Sequence, residues 1–375
     1  MEKRADYFIE QAIFGNFIMV FLLYYLHVLP NMVCNGFYLL ILLYYGLCTV
    51  RYCGFFDQRV FVLVVLAVVF GALTGLNTGN FNPSLYLKTC VTILLGYRMA
   101  KVGVSRLIAY LVFWGVTLCF IPTLFANFSD QENLNTFFQG LSRNYFSVFS
   151  ITGAVLVYTT YRQETDQVPI LPAVVTLGIA FLSAGRSGEI AALLLLFGII
   201  YLRMRKNGNK TYRIGLAAAV ICMLLVIILV MQTGIYKVLF GRFFEQGLKS
   251  PGRSVLWGYY FEQMLESAKN LFFGVDITDF WLAQHYEYNL HNTFLQMHYT
   301  FGLFFSVGVF FYLANAAVRM WKSEDQLRVL LLAVFILRAF LDQMGFSFFT
   351  EFMIYYFVFY TPETKSALSK PVSSS

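Results

Sequence analysis

Charge is scarce in this sequence. Only 13% of its 375 residues are Asp, Glu, Lys or Arg and 59% are apolar, whereas a globular domain carries roughly a quarter charged residues. So few charges cannot clothe a water-exposed surface, and a soluble domain is excluded. The period-two alternation of a membrane strand is also missing, which leaves helices to satisfy the backbone in lipid. Cysteine is confined to or beside apolar runs, at Cys34, Cys48, Cys53, Cys90, Cys119 and Cys222. Neither a disulfide framework nor a zinc-finger spacing follows from that pattern, and free buried thiols are expected. Glycine-rich phosphate loops, the Gly-x-Ser-x-Gly elbow and His-Glu-x-x-His are absent, so no cofactor motif is present and no metal is expected. Although Met1-Glu-Lys-Arg-Ala-Asp is charged, the following apolar run has no small-residue cleavage site, and the expectation is that it stays as the first span.

What the sequence does have is long apolar runs, with a mean hydropathy of +0.66. A helix needs about 20 residues to cross a hydrocarbon core. The runs predict about twelve transmembrane helices, at residues 8–28, 33–50, 60–76, 84–100, 106–125, 144–161, 168–184, 188–203, 214–232, 294–317, 328–347 and 348–361. The fold class is therefore all-α and polytopic. Residues 1–232 hold nine spans, 233–293 a large loop with short helices, 294–361 three more spans, and 362–375 a polar tail expected to be disordered. Lys and Arg are retained on the cytoplasmic side of short loops. Arg51, Arg98, Lys101, Arg162, Arg203, Arg205, Lys322 and Arg328 all fall on one side of the predicted topology, which puts both termini in the cytoplasm and the loop outside. The net charge of +7 is mostly this topological signal and implies no nucleic-acid partner.

Candidate chemistry concentrates between Tyr236 and Gly302, helped by the short insertion from Ser183 to Glu189. Arg186 stands between two apolar runs beside Ser187, Gly188 and Glu189. Either it pairs with Glu189 in a tight turn, or its guanidinium and nearby backbone donors face a phosphate. Arg242 and Arg253 flank Ser250-Pro251-Gly252, a helix breaker that can fold the chain back and bring them together. Gly252 to Trp257 opens an amphipathic helix whose Trp257 suits a membrane interface or a sugar ring. His291 has an imidazole able to exchange protons near neutral pH, or it is an interfacial residue that caps a helix with Asn292 and Thr293. His298 lies two turns deeper on the same predicted face, and His285 is a weaker candidate. Asp276 and Asp279 read as turn residues rather than a metal pair. Arg338 and Asp342, one helical turn apart, either neutralise each other or shape a groove for an anion.

The order Ser183-x-x-Arg186-Ser187-Gly188, then Gly252-Arg253-Ser254 with Trp257, then Leu271-Phe272-Phe273-Gly274 and His291-Asn292-Thr293-Phe294-Leu295 resembles the bacterial O-antigen polymerase and O-antigen ligase family. The ligase pattern of His-Asn, nine residues, then Gly is met by His291, Asn292 and Gly302. A small or hydroxylated residue belongs three positions later, and Phe305 there favours polymerase over ligase. The resemblance implies a GT-C type membrane glycosyltransferase of the bacterial inner membrane acting on an oligosaccharide carried by undecaprenyl diphosphate. It implies Arg186, Arg242 or Arg253 on the diphosphate and His291 on the acceptor. Ser187, Trp257, Asn292, His298 and Arg338 complete the expected substrate contacts, and a chain-length regulator is a conceivable further partner. A lipid-linked sugar flippase is the rival of another class.

Overall fold

A computed structural model describes residues 2–52, 55–128, 131–139, 141–162, 167–206, 214, 251–346 and 349–362. Among them the chain is helical, with a single isolated bridge between Phe138 and Leu141 in place of any sheet. The helices are α1 (Glu2–Tyr25), α2 (Asn31–Arg51), α3 (Gln58–Thr78), α4 (Pro83–Val102), α5 (Arg106–Ala126), α6 (Asn144–Thr159), α7 (Leu171–Leu182) and α8 (Arg186–Lys206), followed by α9 (Pro251–Glu266), α10 (Ala268–Phe273), α11 (Trp281–His285), α12 (Thr293–Lys322), α13 (Gln326–Leu341) and α14 (Phe352–Phe359).

Six of these, α1, α2, α3, α5, α8 and α12, are long and apolar enough to cross a membrane. The expected count of twelve is not reached by length and apolarity. The 20-residue α4 carries Lys88, Arg98 and Lys101. The other four helices on predicted spans are short, with 16 residues in α6, 12 in α7, 16 in α13 and 8 in α14. Apart from Ile214, the ninth predicted span lies outside the described residues, as does Arg242.

The long helices α2, α3 and α5 turn side chains such as Leu40, Leu47, Val65, Leu76 and Leu118 outward, as a lipid-facing surface requires. Inside the bundle α12 packs on α3, α14 on α4, α13 on α8, and α5 and α7 on α6. The segment between α8 and α12 builds a second, smaller core from Leu256, Tyr260, Val275, Ile277, Leu282 and Leu290, closed by Leu295 and Tyr299 of α12. Clustered aromatics at the edge of the large core, including Phe120, Phe137, Phe138 and Phe146, meet mostly edge-on, the arrangement that ring quadrupoles favour.

Two local departures from regular helix shape the site. The eleventh and twelfth predicted spans were expected to abut at 347–348, but α13 stops at Leu341, where Asp342 is fully extended (φ −163°, ψ 177°). Residues 342–346 are irregular and buried, which an apolar setting tolerates when the freed backbone groups find partners. Here Thr293 Oγ donates to Asp342 O at 2.9 Å, Met344 N donates to Thr293 Oγ at 2.7 Å, and Phe346 N donates to Glu351 Oε2 at 2.6 Å. The second departure is a kink at Gly302 inside α12, with φ 70°. Any Cβ there would strike the carbonyl of Phe272, so this glycine lets α10 lie directly on the bend.

Candidate functional site

Asp342 is the centre of the candidate site, and it gathers groups from three separate parts of the chain. His291 presents Nδ1 at 3.3 Å from its Oδ1, Arg338 places Nη2 at 3.2 Å from Oδ2, and Arg253 places Nη2 at 3.8 Å from Oδ2. Asp342 and Arg338 are wholly buried, whereas the side chains of His291 and Arg253 keep 15% and 20% of their surface. A carboxylate can only accept, so the neutral imidazole holds its proton on Nδ1 and leaves the Nε2 lone pair free. The ring is fixed further by its own backbone, which is left-handed (φ 49°) and donates from N to Asn289 Oδ1 at 2.8 Å. Tyr286 meets the ring edge-on at 4.9 Å.

Each member is placed by a helix end. Arg253 belongs to the first turn of α9, and its Nη1 donates to Leu341 O at 2.6 Å, an interaction with a terminal carbonyl of α13. Asn292 is the N-cap of α12 and accepts from Phe294 N at 2.9 Å and Leu295 N at 3.1 Å. Arg338 reaches across to α6, where Nη2 lies 3.2 Å from Asn144 O and 3.5 Å from Ser147 Oγ. Its Nε and Nη1 are buried with no hydrogen-bond partner among the described residues.

The same two α6 residues carry the Arg186 turn. A Cβ built on Gly188 would collide with Ser147 Oγ, and one on Gly185 would come 3.2 Å from Asn144 Oδ1. The start of α8, with half-buried Arg186 and buried Ser187, therefore rests on the residues that Arg338 contacts. Glu189, one turn on, is buried near Arg186, and its Oε2 has no hydrogen-bond partner among the described residues. A chain of contacts through Asn144, Ser147, Arg338 and Asp342 thus runs from the Arg186 turn to His291.

This arrangement favours an anion. The N-termini of α6, α9 and α12 reach this cluster through Asn144, Arg253 and Thr293, and that of α8 rests on α6, so the positive ends of four helix dipoles lie on this side. Around Asp342 the two guanidiniums of Arg253 and Arg338 outnumber the single carboxylate, while Arg186 has Glu189 beside it. No group of three metal-ligating His, Cys, Asp or Glu side chains occurs among the described residues.

Other sequence candidates are placed elsewhere. His298 does not continue a polar seam from His291. Its Nε2 faces Leu271 O at 2.8 Å and its Nδ1 faces Tyr260 OH at 2.7 Å. Only one tautomer serves both, with Nε2–H donating and Nδ1 accepting, so this imidazole fastens the loop core to α12. Burial holds the Tyr260 hydroxyl well above the usual phenol range, so it stays a donor. Trp257 spends its indole N–H on Leu290 O at 2.7 Å and meets Phe340 edge-on. His285 is exposed at the end of α11. Asp276 makes the expected turn, accepting from Thr278 N at 3.0 Å.

Sequence reasoning reached Asp342 only as a partner for Arg338, and it missed Asn144, Ser147 and Asn289 altogether. An acid one turn after a buried arginine, at the end of an apolar run, was the available signal for the first. Nothing in the sequence marked the other three. Compared with known proteins, the chain matches no family model, no curated protein and no solved structure.

Proposed function

We propose that this protein is a membrane glycosyltransferase that polymerises surface-polysaccharide repeat units carried on undecaprenyl diphosphate, working at the outer face of a bacterial inner membrane in a twelve-crossing fold of GT-C type. The observation carrying the reading is the meeting of His291, Arg253 and Arg338 on Asp342, beside the Arg186 turn and four helix N-termini. Sugar transfer from a diphosphate builds negative charge on the leaving oxygen, and fixed cations in a poorly hydrated site stabilise it. The attacking hydroxyl must lose a proton as the glycosidic bond forms. His291 Nε2, freed by the tautomer that Asp342 selects, is the base for that proton. Arg253, with part of its surface open, and Arg186 are the groups for the diphosphate, while Arg338 holds Asp342 in place.

The test is a transfer assay with purified protein and a synthetic lipid-diphosphate repeat unit. Wild type should give a ladder of products. His291→Ala and Arg253→Ala, each at normal membrane level, should give single units only, with a loss of at least 100-fold, the scale of a missing general base or charge stabiliser. Repeat units stranded on the cytoplasmic leaflet of cells carrying these variants would point to transport instead and overturn the reading.

A further inference from the structure

A polar cavity lies at the end of the bundle opposite the Asp342 cluster. About 470 Å³ in volume, it falls within the range of roughly 300–1,000 Å³ seen for small-molecule sites. The last turn of α4, the end of α6, the turn between α12 and α13, and residues 360–362 after α14 wall it. The 16 residues of α6 separate it from the Asp342 region by about 24 Å at 1.5 Å per residue.

Its charged lining is Lys101, Arg162, Arg328, Glu324 and Asp325. Asp325 is occupied, since its Oδ1 accepts from Arg328 N at 3.2 Å as the α13 cap and its Oδ2 accepts from Tyr360 OH at 2.7 Å. Helix C-termini converge here, and their carbonyls alone would repel an anion. Arg328, buried, answers those of α6 by donating to Thr159 O at 2.8 Å and to Tyr161 O, and Arg106 donates to Thr160 O at 3.4 Å. Lys101 and Arg162 then stand exposed at the mouth, with Glu324 as the opposing charge on the rim. Basic pockets between the ends of membrane helices suit the headgroups of anionic lipids.

We propose that this cavity is a binding site for a phosphate monoester or diester, with Lys101 and Arg162 as its entry cations and Arg328 as its floor. The test uses the full chain in neutral detergent, with thermal unfolding followed during titration by phosphatidylglycerol, phosphatidylcholine, glycerol 3-phosphate and inorganic phosphate. Two variants accompany the wild type, Lys101→Gln/Arg162→Gln at the mouth and a control, Arg51→Gln/Lys269→Gln, whose two residues lie at the end of α2 and in α10 and do not line this cavity. Both remove two exposed charges, and neither disturbs Arg328.

Phosphatidylglycerol should stabilise the wild type and the control variant at the same concentration, with half-saturation raised at least tenfold in the mouth variant, at roughly fivefold per cation. Competition by glycerol 3-phosphate or inorganic phosphate would make a soluble phosphate the ligand, and its failure would make it the lipid headgroup; both support the site. Equal responses from all three proteins, or an equal response to phosphatidylcholine, would overturn it.

Discussion

Asp342 carries one negative charge among two guanidiniums and an imidazole, and the balance of that cluster decides what a substitution there does. Removing one member of a buried ion pair costs about 3–5 kcal/mol, because the other charge is left unanswered. Asp342→Asn should therefore lower the thermal midpoint sharply and also abolish transfer, since an amide that turns its Oδ1 to Arg338 offers an N–H to Nδ1 of His291 and selects the other tautomer. The paired change Arg338→Met/Asp342→Leu should recover much of the stability while transfer stays lost. Thermal unfolding and the ladder assay, run on the same preparations, separate these outcomes. His298 gives the contrast. Tyr260→Phe removes the hydroxyl that donates to Nδ1 and should cost about 1 kcal/mol, with product formation within a few-fold of wild type. A large loss of turnover at normal stability would instead assign His298 a part in the chemistry.

The helices follow the apolar runs closely, because a backbone in lipid has few other ways to satisfy itself. The convergence of residues on Asp342 was far less legible, as it joins side chains from positions 253, 291, 338 and 342 through tertiary packing. Arg338 and Asp342 read as a self-neutralising pair at helical spacing, and the end of the helix at Leu341, which frees the carboxylate for His291, left no signal in composition. Trp257 and His298 looked like ligand groups because the backbone carbonyls that occupy them cannot be seen in a sequence. Two element-level predictions follow from close approaches. Gly188→Ala should damage α8 packing and transfer, and Ser147→Gly should partly restore both, as it removes the hydroxymethyl group that the new Cβ would strike. Gly302→Ala forces an alanine into φ 70° against the Phe272 carbonyl, at a cost of about 1–3 kcal/mol from the backbone alone. It should loosen α10 from the bend, seen as faster protease cleavage between Pro251 and Asn292.

Across the whole molecule the two ends differ in charge, with the Asp342 cluster at one and a belt of Lys and Arg at the other. If the charge bias sets orientation as in other membrane proteins, Trp281→Cys should react with an impermeant maleimide in intact cells, and Lys322→Cys only after the membrane is opened, in a background cleared of native cysteines. Reversed labelling would invert the topology and remove the outer-face site. One pair of helices is fastened to each other at both ends. Arg328 and Arg338 of α13 grip opposite extremities of α6, at Thr159 O and Asn144 O. A rod riveted at two points cannot slide along its neighbour unless both rivets let go together. Rocking that would open one side while closing the other is thereby made costly along this seam, and a stationary scaffold, to which mobile lipid carriers diffuse and from which they leave, is the working style this geometry suits.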